Sequence, residues 1–401
     1  MARAAHDWGQ ATELDDISGE VAIAGIGETA YTKASGRTAR EIGAEAAERA
    51  IADAGLEPAD IDGLTWNAAF ADFDVDAFHE HFGTSHDLFT SKWGGGMTWA
   101  GTAPYLAARA IAAGKARHVL NVFPVAWATQ RGSMTGGPGE THAAQPLKQN
   151  LEVPFGWFPQ PVYFATIMRR HMLEFGTTEE QFGAIAVACR RNANHNPTAV
   201  MHEKKMSLDD YLASPVLADP LRMFDSCLIS DGGAAYITTS VERARDLPQP
   251  PAVVAGVGEG NAESGGHWSQ QQDFTSTPQV FSAPPAFAMA GMAPADVDVL
   301  TVYDPFTVVS MMQIEDMGFC EKGAAGKFVE GDTLDFDGGQ LAFNTHGGLL
   351  SHAYVLGIAH VVEVVKQLRG TAPAQVAGCE VGVYGGYTGG MASTLILTRD
   401  R

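Results

Sequence analysis

The chain has 401 residues, with 47 acidic against 26 basic side chains and a formal charge of −21. That sign repels nucleic-acid phosphates and excludes a general DNA- or RNA-binding role. At 45% hydrophobic residues the chain exceeds the usual size of one core, so two packed halves are expected. Cys189, Cys227, Cys320 and Cys379 lie far apart with no CxxC pair, which excludes a zinc ribbon or disulfide framework and suggests a reducing compartment.

The first 18 residues, rich in Ala and Asp, read as a loose extension, with no basic-then-apolar leader, so a soluble cytoplasmic protein is expected. Val21 to Ile26 reads as a first buried strand entering a turn at Gly25 and Gly27. This Gly-x-Gly lacks the third glycine and the downstream acidic strand end of a dinucleotide site. A helix follows over Glu41 to Ala54. Residues 51–67, IADAGLEPADIDGLTWN, recur as residues 287–303, FAMAGMAPADVDVLTVY. Each copy reads as a helix end, a Gly cap, a Pro-Ala-Asp turn and a strand, so the chain is predicted to be two related α/β halves. The predicted boundaries are 19–250 and 251–401.

Gly94-Gly95-Gly96 precedes a helix over Thr98 to Ala113, and Val119 to Phe123 is the next strand. No cysteine occurs between Met1 and Ala188. An insertion over about 126–224 holds predicted helices at Gln160–Phe175 and Glu179–Asn194 and the basic residues Arg190, Arg191, Lys204 and Lys205. These read either as a solvated helix face or as local cations for an anionic ligand. Ser230-Asp231-Gly232-Gly233 opens a buried strand, and the second half starts with a strand over Ala252–Val257. Val302-Tyr303-Asp304-Pro305-Phe306 follows the repeated unit. In FNTHGGLLSHAYVLGIAHVVEVVKQLRG, residues 343–370, Asn344, Gly347 and Gly348 introduce a long amphipathic helix, and such Gly-rich starts stabilise developing negative charge. GVYGGYTGG, residues 382–390, forms a last glycine-rich loop.

This set of motifs resembles the thiolase superfamily, in particular its sterol-carrier or lipid-transfer branch. The resemblance implies a duplicated five-layered αβαβα fold with an inserted loop domain that covers the site and holds CoA. Against the family's pattern, Met97 stands in the place of the nucleophilic cysteine, Tyr303 replaces a catalytic-site His, Ala353-Tyr354-Val355 replaces Gly-His-Pro, and Gly386 or Tyr387 replaces the second cysteine. A thioether cannot become the thiolate that acyl transfer needs. Two readings follow: an inactive acyl-CoA or lipid-binding relative, or an enzyme that stabilises an enolate without forming an acyl-enzyme. A third, a thiolase using Cys379 or Cys320, is weaker because neither follows a Gly-rich helix start.

Three phenols at positions where acid/base groups belong favour the enzyme, and the pattern resembles steroid side-chain aldolases that cleave a β-hydroxyacyl-CoA by a retro-aldol reaction. The implied acid/base residues are Tyr354, Tyr303 and Tyr387, with His346 and His352 as neighbours. The amides near Gly96–Met97, or Asn344, Gly347, Gly348 and Gly386, would hold the thioester oxygen, while Arg190, Arg191, Lys204 and Lys205 would contact CoA. A phenol with its ordinary pKa of about 10 is a poor base at neutral pH, so the site must lower it or relay the proton through a neighbour. No His/Cys/Asp/Glu cluster has metal spacing, and no cofactor is expected beyond CoA as part of the substrate. The resemblance further implies a homodimer and a small OB-fold partner with a zinc ribbon.

Overall fold

A computed structural model describes residues 7–67, 73–93, 96–130, 148–157, 160–264 and 270–400. Residues 7–18 are docked rather than loose: β1 (Gly9–Ala11) pairs antiparallel with β7 (Ala252–Ala262), and Ile17 is fully buried. The main sheet divides into two five-stranded blocks. In the first, β2 (Val21–Glu28), β3 (Gly63–Asn67), β4 (Phe89–Trp93), β5 (Val119–Ala126) and β6 (Asp231–Ser240) take the order β2-β6-β5-β3-β4. In the second, β7, β8 (Val299–Val302), β9 (Ala342–Phe343), β10 (Val381–Thr388) and β11 (Met391–Arg399) take the order β7-β11-β10-β8-β9.

The two orders correspond strand by strand. β3 runs parallel to β4 and β5 as β8 does to β9 and β10, and in each block the next two pairings are antiparallel. The repeated sequence is thus a repeated structure. Pro58–Asp60 and Pro294–Asp296 form equivalent 3-10 turns, entered from Gly55 and Gly291 at left-handed φ of 67° and 63°. The blocks meet where Ala22 and Ile23 pair with Val253 and Ala252.

Helices α1 (Ala39–Asp53) and α2 (Val75–Phe82) cover the outer face of the first block, and α1 starts in a capping box between Thr38 and Glu41. Gly25 and Gly27 lie inside β2 rather than in a turn beyond it, because α1 crosses so closely: a Cβ on Gly27 would sit 2.2 Å from the Ala46 carbonyl oxygen. Helix α3 (Gly96–Ala112) packs between the blocks. In the insertion, α4 (Gln160–Phe175) and α5 (Glu179–His195) match the predicted helices, while residues 131–147 lie outside the described residues. Helix α6 (Gln279–Ala290) covers the second block, where Gly258 repeats the close approach with a Cβ position 2.0 Å from the Ser282 carbonyl oxygen. Helices α7 (Thr307–Asp316), α8 (Gly348–Ser351) and α9 (Ile358–Arg369) follow, besides short helices at Leu208–Leu212, Val241–Ala244 and Ala325–Phe328. Like α3, α9 touches strands of both blocks, giving the order helix, sheet, helix, sheet, helix that the sequence led us to expect.

Candidate active site

Strand β8 ends at Val302 and delivers Tyr303 and Asp304 to the C-terminal edge of a parallel strand, the usual place for a site in an α/β sheet. Asp304 is fully buried. Its carboxylate accepts from the Leu349 amide at 2.8 Å, the Leu350 amide at 3.4 Å and His360 Nε2 at 2.9 Å. The Leu349 and Leu350 amides at the start of α8 are therefore directed to Asp304, and the Gly347 amide to the Asn344 carbonyl.

This geometry corrects the reading of the glycines. Gly348, at φ 63°, would place a Cβ 2.0 Å from Asp304 Oδ2, and Gly347, at φ 109°, would place one 2.7 Å from the Ala193 Cβ. Both residues are demanded by neighbours inside the protein. Asn344, at φ 41°, accepts from the Val302 amide at 2.9 Å and donates to the Val302 carbonyl at 3.2 Å, lashing this loop to β8. The long helix is also interrupted: α8 has four residues, the chain turns through Leu356 at φ 48°, and only then does α9 begin.

The turn between α8 and α9 carries Tyr354. Its amide donates to Ser230 Oγ at 2.7 Å, and its ring stands edge-on to Trp127 with centroids 4.7 Å apart. The Tyr354 and Tyr303 hydroxyls are 3.1 Å apart, so the two phenols chosen from sequence meet in one hydrogen-bonded pair. Both are buried yet keep a small exposed edge, 8% for Tyr354 and 5% for Tyr303. Burial raises both pKa values well above the phenol range. The mutual hydrogen bond raises Tyr303 further and works the opposite way on Tyr354. Burial thus opposes a lowered phenol pKa, and the hydroxyl contact offers a relay.

The remaining candidates separate. Tyr387 packs with Val383 and Ile396, in a different core cluster from the tyrosine pair. Gly386 is tied into the sheet opposite Ser393, and its carbonyl accepts from Gln279 Nε2 at 3.0 Å. Tyr384, which sequence reasoning passed over, packs in the cluster of Tyr303, Tyr354 and Trp99. His346 and His352 are buried, and burial drives His346 well below its usual pKa and His352 down to about 3. His346 meets both His352 and His360 edge-on, and His352 also meets Tyr31 edge-on. His360 and Asp304 are further residues the sequence reading missed; the available signal was a histidine on the apolar face of α9.

Gly96 and Met97 open α3, a helix of 17 residues, while Gly94, Gly95 and the Met97 side chain lie outside what is described. Two residues on, Trp99 is fully buried in the same large hydrophobic cluster as Tyr303 and Tyr354, and a Cβ on Gly101 of this helix would lie 3.3 Å from the Tyr384 ring. The basic residues do not form one patch. Arg190 is buried, donates to Ser351 Oγ at 2.9 Å and lies over Phe224; Arg191 pairs with Asp332 at 3.2 Å and with Asp335. Lys204 and Lys205 remain exposed.

No cysteine is activated. All four are free thiols, and burial raises each, Cys320 and Cys379 to about 12 and Cys189 and Cys227 well above their usual range. Among the described residues there is no cluster of metal-ligating side chains, and no helix is long and apolar enough to cross a membrane.

Residues 260–399 match the family described as thiolase C-terminal domain-like. The chain is 35% identical to a steroid side-chain-cleaving aldolase of Thermomonospora curvata, over 96% of this chain and 99% of that protein. It is 36% identical to a 17-hydroxy-3-oxo-4-pregnene-20-carboxyl-CoA lyase of Mycobacterium tuberculosis, over 95% of this chain and all of that one. A solved structure titled Ltp2-ChsH2(DUF35) aldolase superposes with a TM-score of 0.88 at 35% identity, covering 96% of this chain and 100% of its own. With the duplicated fold and the replaced acid/base positions already in view, these similarities decide the family: the chain belongs to the thiolase superfamily, beside its steroid side-chain-cleaving aldolases.

Proposed function

We propose that this protein is a carbon–carbon lyase that cleaves a β-hydroxyacyl-CoA thioester of a steroid side chain by a retro-aldol reaction, giving a ketone and a short acyl-CoA such as propionyl-CoA. The observation that carries the reading is the Tyr303–Tyr354 hydroxyl pair at 3.1 Å. It is supported by the names of two relatives similar over nearly their whole length, an aldolase and a CoA lyase.

The reaction has no net proton demand. The β-hydroxyl loses a proton as the Cα–Cβ bond breaks, and the enolate carbon gains one. Two phenols in contact match that balance without either becoming a phenolate. Tyr303 accepts the substrate proton while passing its own to Tyr354, and Tyr354 delivers its proton to Cα. Either hydroxyl of the pair can donate to the other, so the contact can pass a proton from Tyr303 to Tyr354. The thioester oxygen, where charge develops, is assigned to the amides at the start of α3. A positioned donor of that kind contributes roughly 3–4 kcal/mol to the transition state.

Of the basic candidates, the exposed Lys204 and Lys205 are assigned to the CoA phosphates, and Arg190 to structure. No cofactor enters this scheme beyond the CoA of the substrate. We further assign a small OB-fold partner with a zinc ribbon and a homodimer, the first supported by the two-component title of the similar solved structure.

The test is to mix the purified protein, with and without such a partner, with a steroidal β-hydroxyacyl-CoA and follow ketone and acyl-CoA release by mass spectrometry. Release should need no free CoA. Tyr354→Phe and Tyr303→Phe should each lower turnover by about 10²–10⁴-fold while acyl-CoA binding persists. Binding without cleavage by the wild type, with or without partner, would instead favour the binding-subunit reading.

A further inference from the structure

Away from the tyrosine pair, a cleft of about 520 Å³ is lined by Glu28, Tyr31, Arg49, Thr198 and Lys366 among others. One of its lining side chains leads inward: the exposed Thr198 Oγ1 is 3.3 Å from Nε2 of the buried His352. From there three buried rings follow in file. His352 and His346 have centroids 5.0 Å apart, and His346 and His360 have centroids 4.5 Å apart. His360 Nε2 bonds to Asp304, and its ring lies 5.9 Å from Tyr384. Tyr384 stands opposite Thr301 in the β8–β10 register, two residues along the strand from Tyr303.

Their hydrogen bonding is incomplete in a patterned way. His352 uses Nε2 on Thr198 and His360 uses Nε2 on Asp304, while Nδ1 of each has no partner within the protein; His346 has none at either nitrogen. The unpartnered nitrogens belong to rings that neighbour one another. Buried polar atoms in native proteins are bonded to protein or to ordered water. These three rings do not form a metal-ligand cluster, since none occurs among the described residues. Burial also keeps His346 and His352 neutral, the form that both donates and accepts.

We infer that His346, His352 and His360 bind internal water and form a proton path between the Thr198 cleft and the tyrosine pair. This rests on the retro-aldol reading and adds a second exit for the proton. During cleavage the proton circulates between the phenols, so the path is idle. When propionyl-CoA is bound with no ketone, the pair has nowhere to pass a proton except backwards. The Cα–H bond then breaks, Tyr354 takes that proton and hands its own to Tyr303, and one proton leaves through Tyr384 and the histidine file to solvent. A solvent proton returning by the same route re-forms the Cα–H bond, so nothing is oxidised or consumed.

The experiment incubates the protein, in whichever partner state cleaves, with propionyl-CoA in D2O and measures deuterium at Cα by mass spectrometry. Cleavage of the β-hydroxyacyl-CoA is measured in parallel. Wild type should exchange. Thr198→Val, which replaces the exposed hydroxyl by a methyl group, should slow exchange by at least about tenfold with cleavage held within about threefold. His346→Gln should slow exchange at least as much. Exchange at the wild-type rate in both variants, no exchange by a wild type that cleaves, or equal loss of exchange and cleavage in Thr198→Val would each overturn the path. Failure of the wild type to cleave at all would strike the retro-aldol reading itself.

Discussion

Replacing Gly348 by alanine tests the claim that this glycine serves Asp304 rather than a ligand. The new Cβ would enter at 2.0 Å from Asp304 Oδ2, far inside contact distance, at a backbone φ of 63°. Left-handed backbone costs an L-residue about 1–2 kcal/mol. The carboxylate must also retreat from the Leu349 amide and from His360, and two hydrogen bonds to a charged group are worth about 1.5–3 kcal/mol each. Together the loss is about 4–8 kcal/mol. Gly370 is the internal control, since it caps α9 at φ 76° with nothing within 4 Å of its Cβ position. Gly370→Ala therefore carries only the backbone cost of about 1–2 kcal/mol. Urea unfolding followed by circular dichroism on both variants measures the difference, which should be at least about 3 kcal/mol. Equal midpoints and slopes for the two variants would refute the packing argument for Gly348.

His352 has its folded pKa depressed to about 3, so its contribution to stability is complete above the unfolded value near 6.5 and is lost as pH falls from there toward 3. The wild type minus His352→Gln difference in unfolding free energy should thus fall by up to about 1.4 kcal/mol per pH unit across that window, and a flat difference would contradict burial of a neutral ring. Burial raises the Cys320 and Cys379 thiols to about 12, so Cys320→Ala and Cys379→Ala should keep turnover within about threefold; loss of activity in either would revive a thiolase mechanism. Arg190→Ala, which removes the bond to Ser351 Oγ and the packing on Phe224, should cost about 2–3 kcal/mol of stability in denaturant titration with little change in KM for acyl-CoA. Lys204→Ala combined with Lys205→Ala should do the reverse.

Tyr303 and Tyr354 stand out in sequence because each occupies a fixed place in a motif, and the fold brings the two motif ends into one hydrogen-bonded pair. Tyr387 lies apart from the tyrosine pair for a reason internal to β-strands: the glycine-rich run leaves the register open, and successive residues point to opposite faces, so a small slip exchanges one face for the other. Tyr384 is the phenol of this strand that packs in the cluster of Tyr303 and Tyr354. Asn344, Gly347 and Gly348 stood out correctly as unusual backbone, but a sequence does not say whether a glycine makes room for a ligand or for a side chain of the same protein. Arg190 and Arg191 are adjacent in sequence, yet α5 turns one into the interior and the other toward Asp332 and Asp335. The docking of residues 7–18 was hidden because a three-residue strand has no readable periodicity; it is held by the edge of β7.

The middle layer of the fold divides labour between the repeats. The first half contributes the α3 start and the second half both phenols of the hydrogen-bonded pair, and α3 and α9 each contact strands of both blocks. Cutting the chain in the proline-rich linker around 248–251 would leave each fragment with a bare apolar helix face, and neither with a complete set of catalytic groups. Co-expressed, the fragments would regain turnover only as they reassemble, which makes this protein a natural scaffold for a split enzyme whose activity reports the meeting of its two halves.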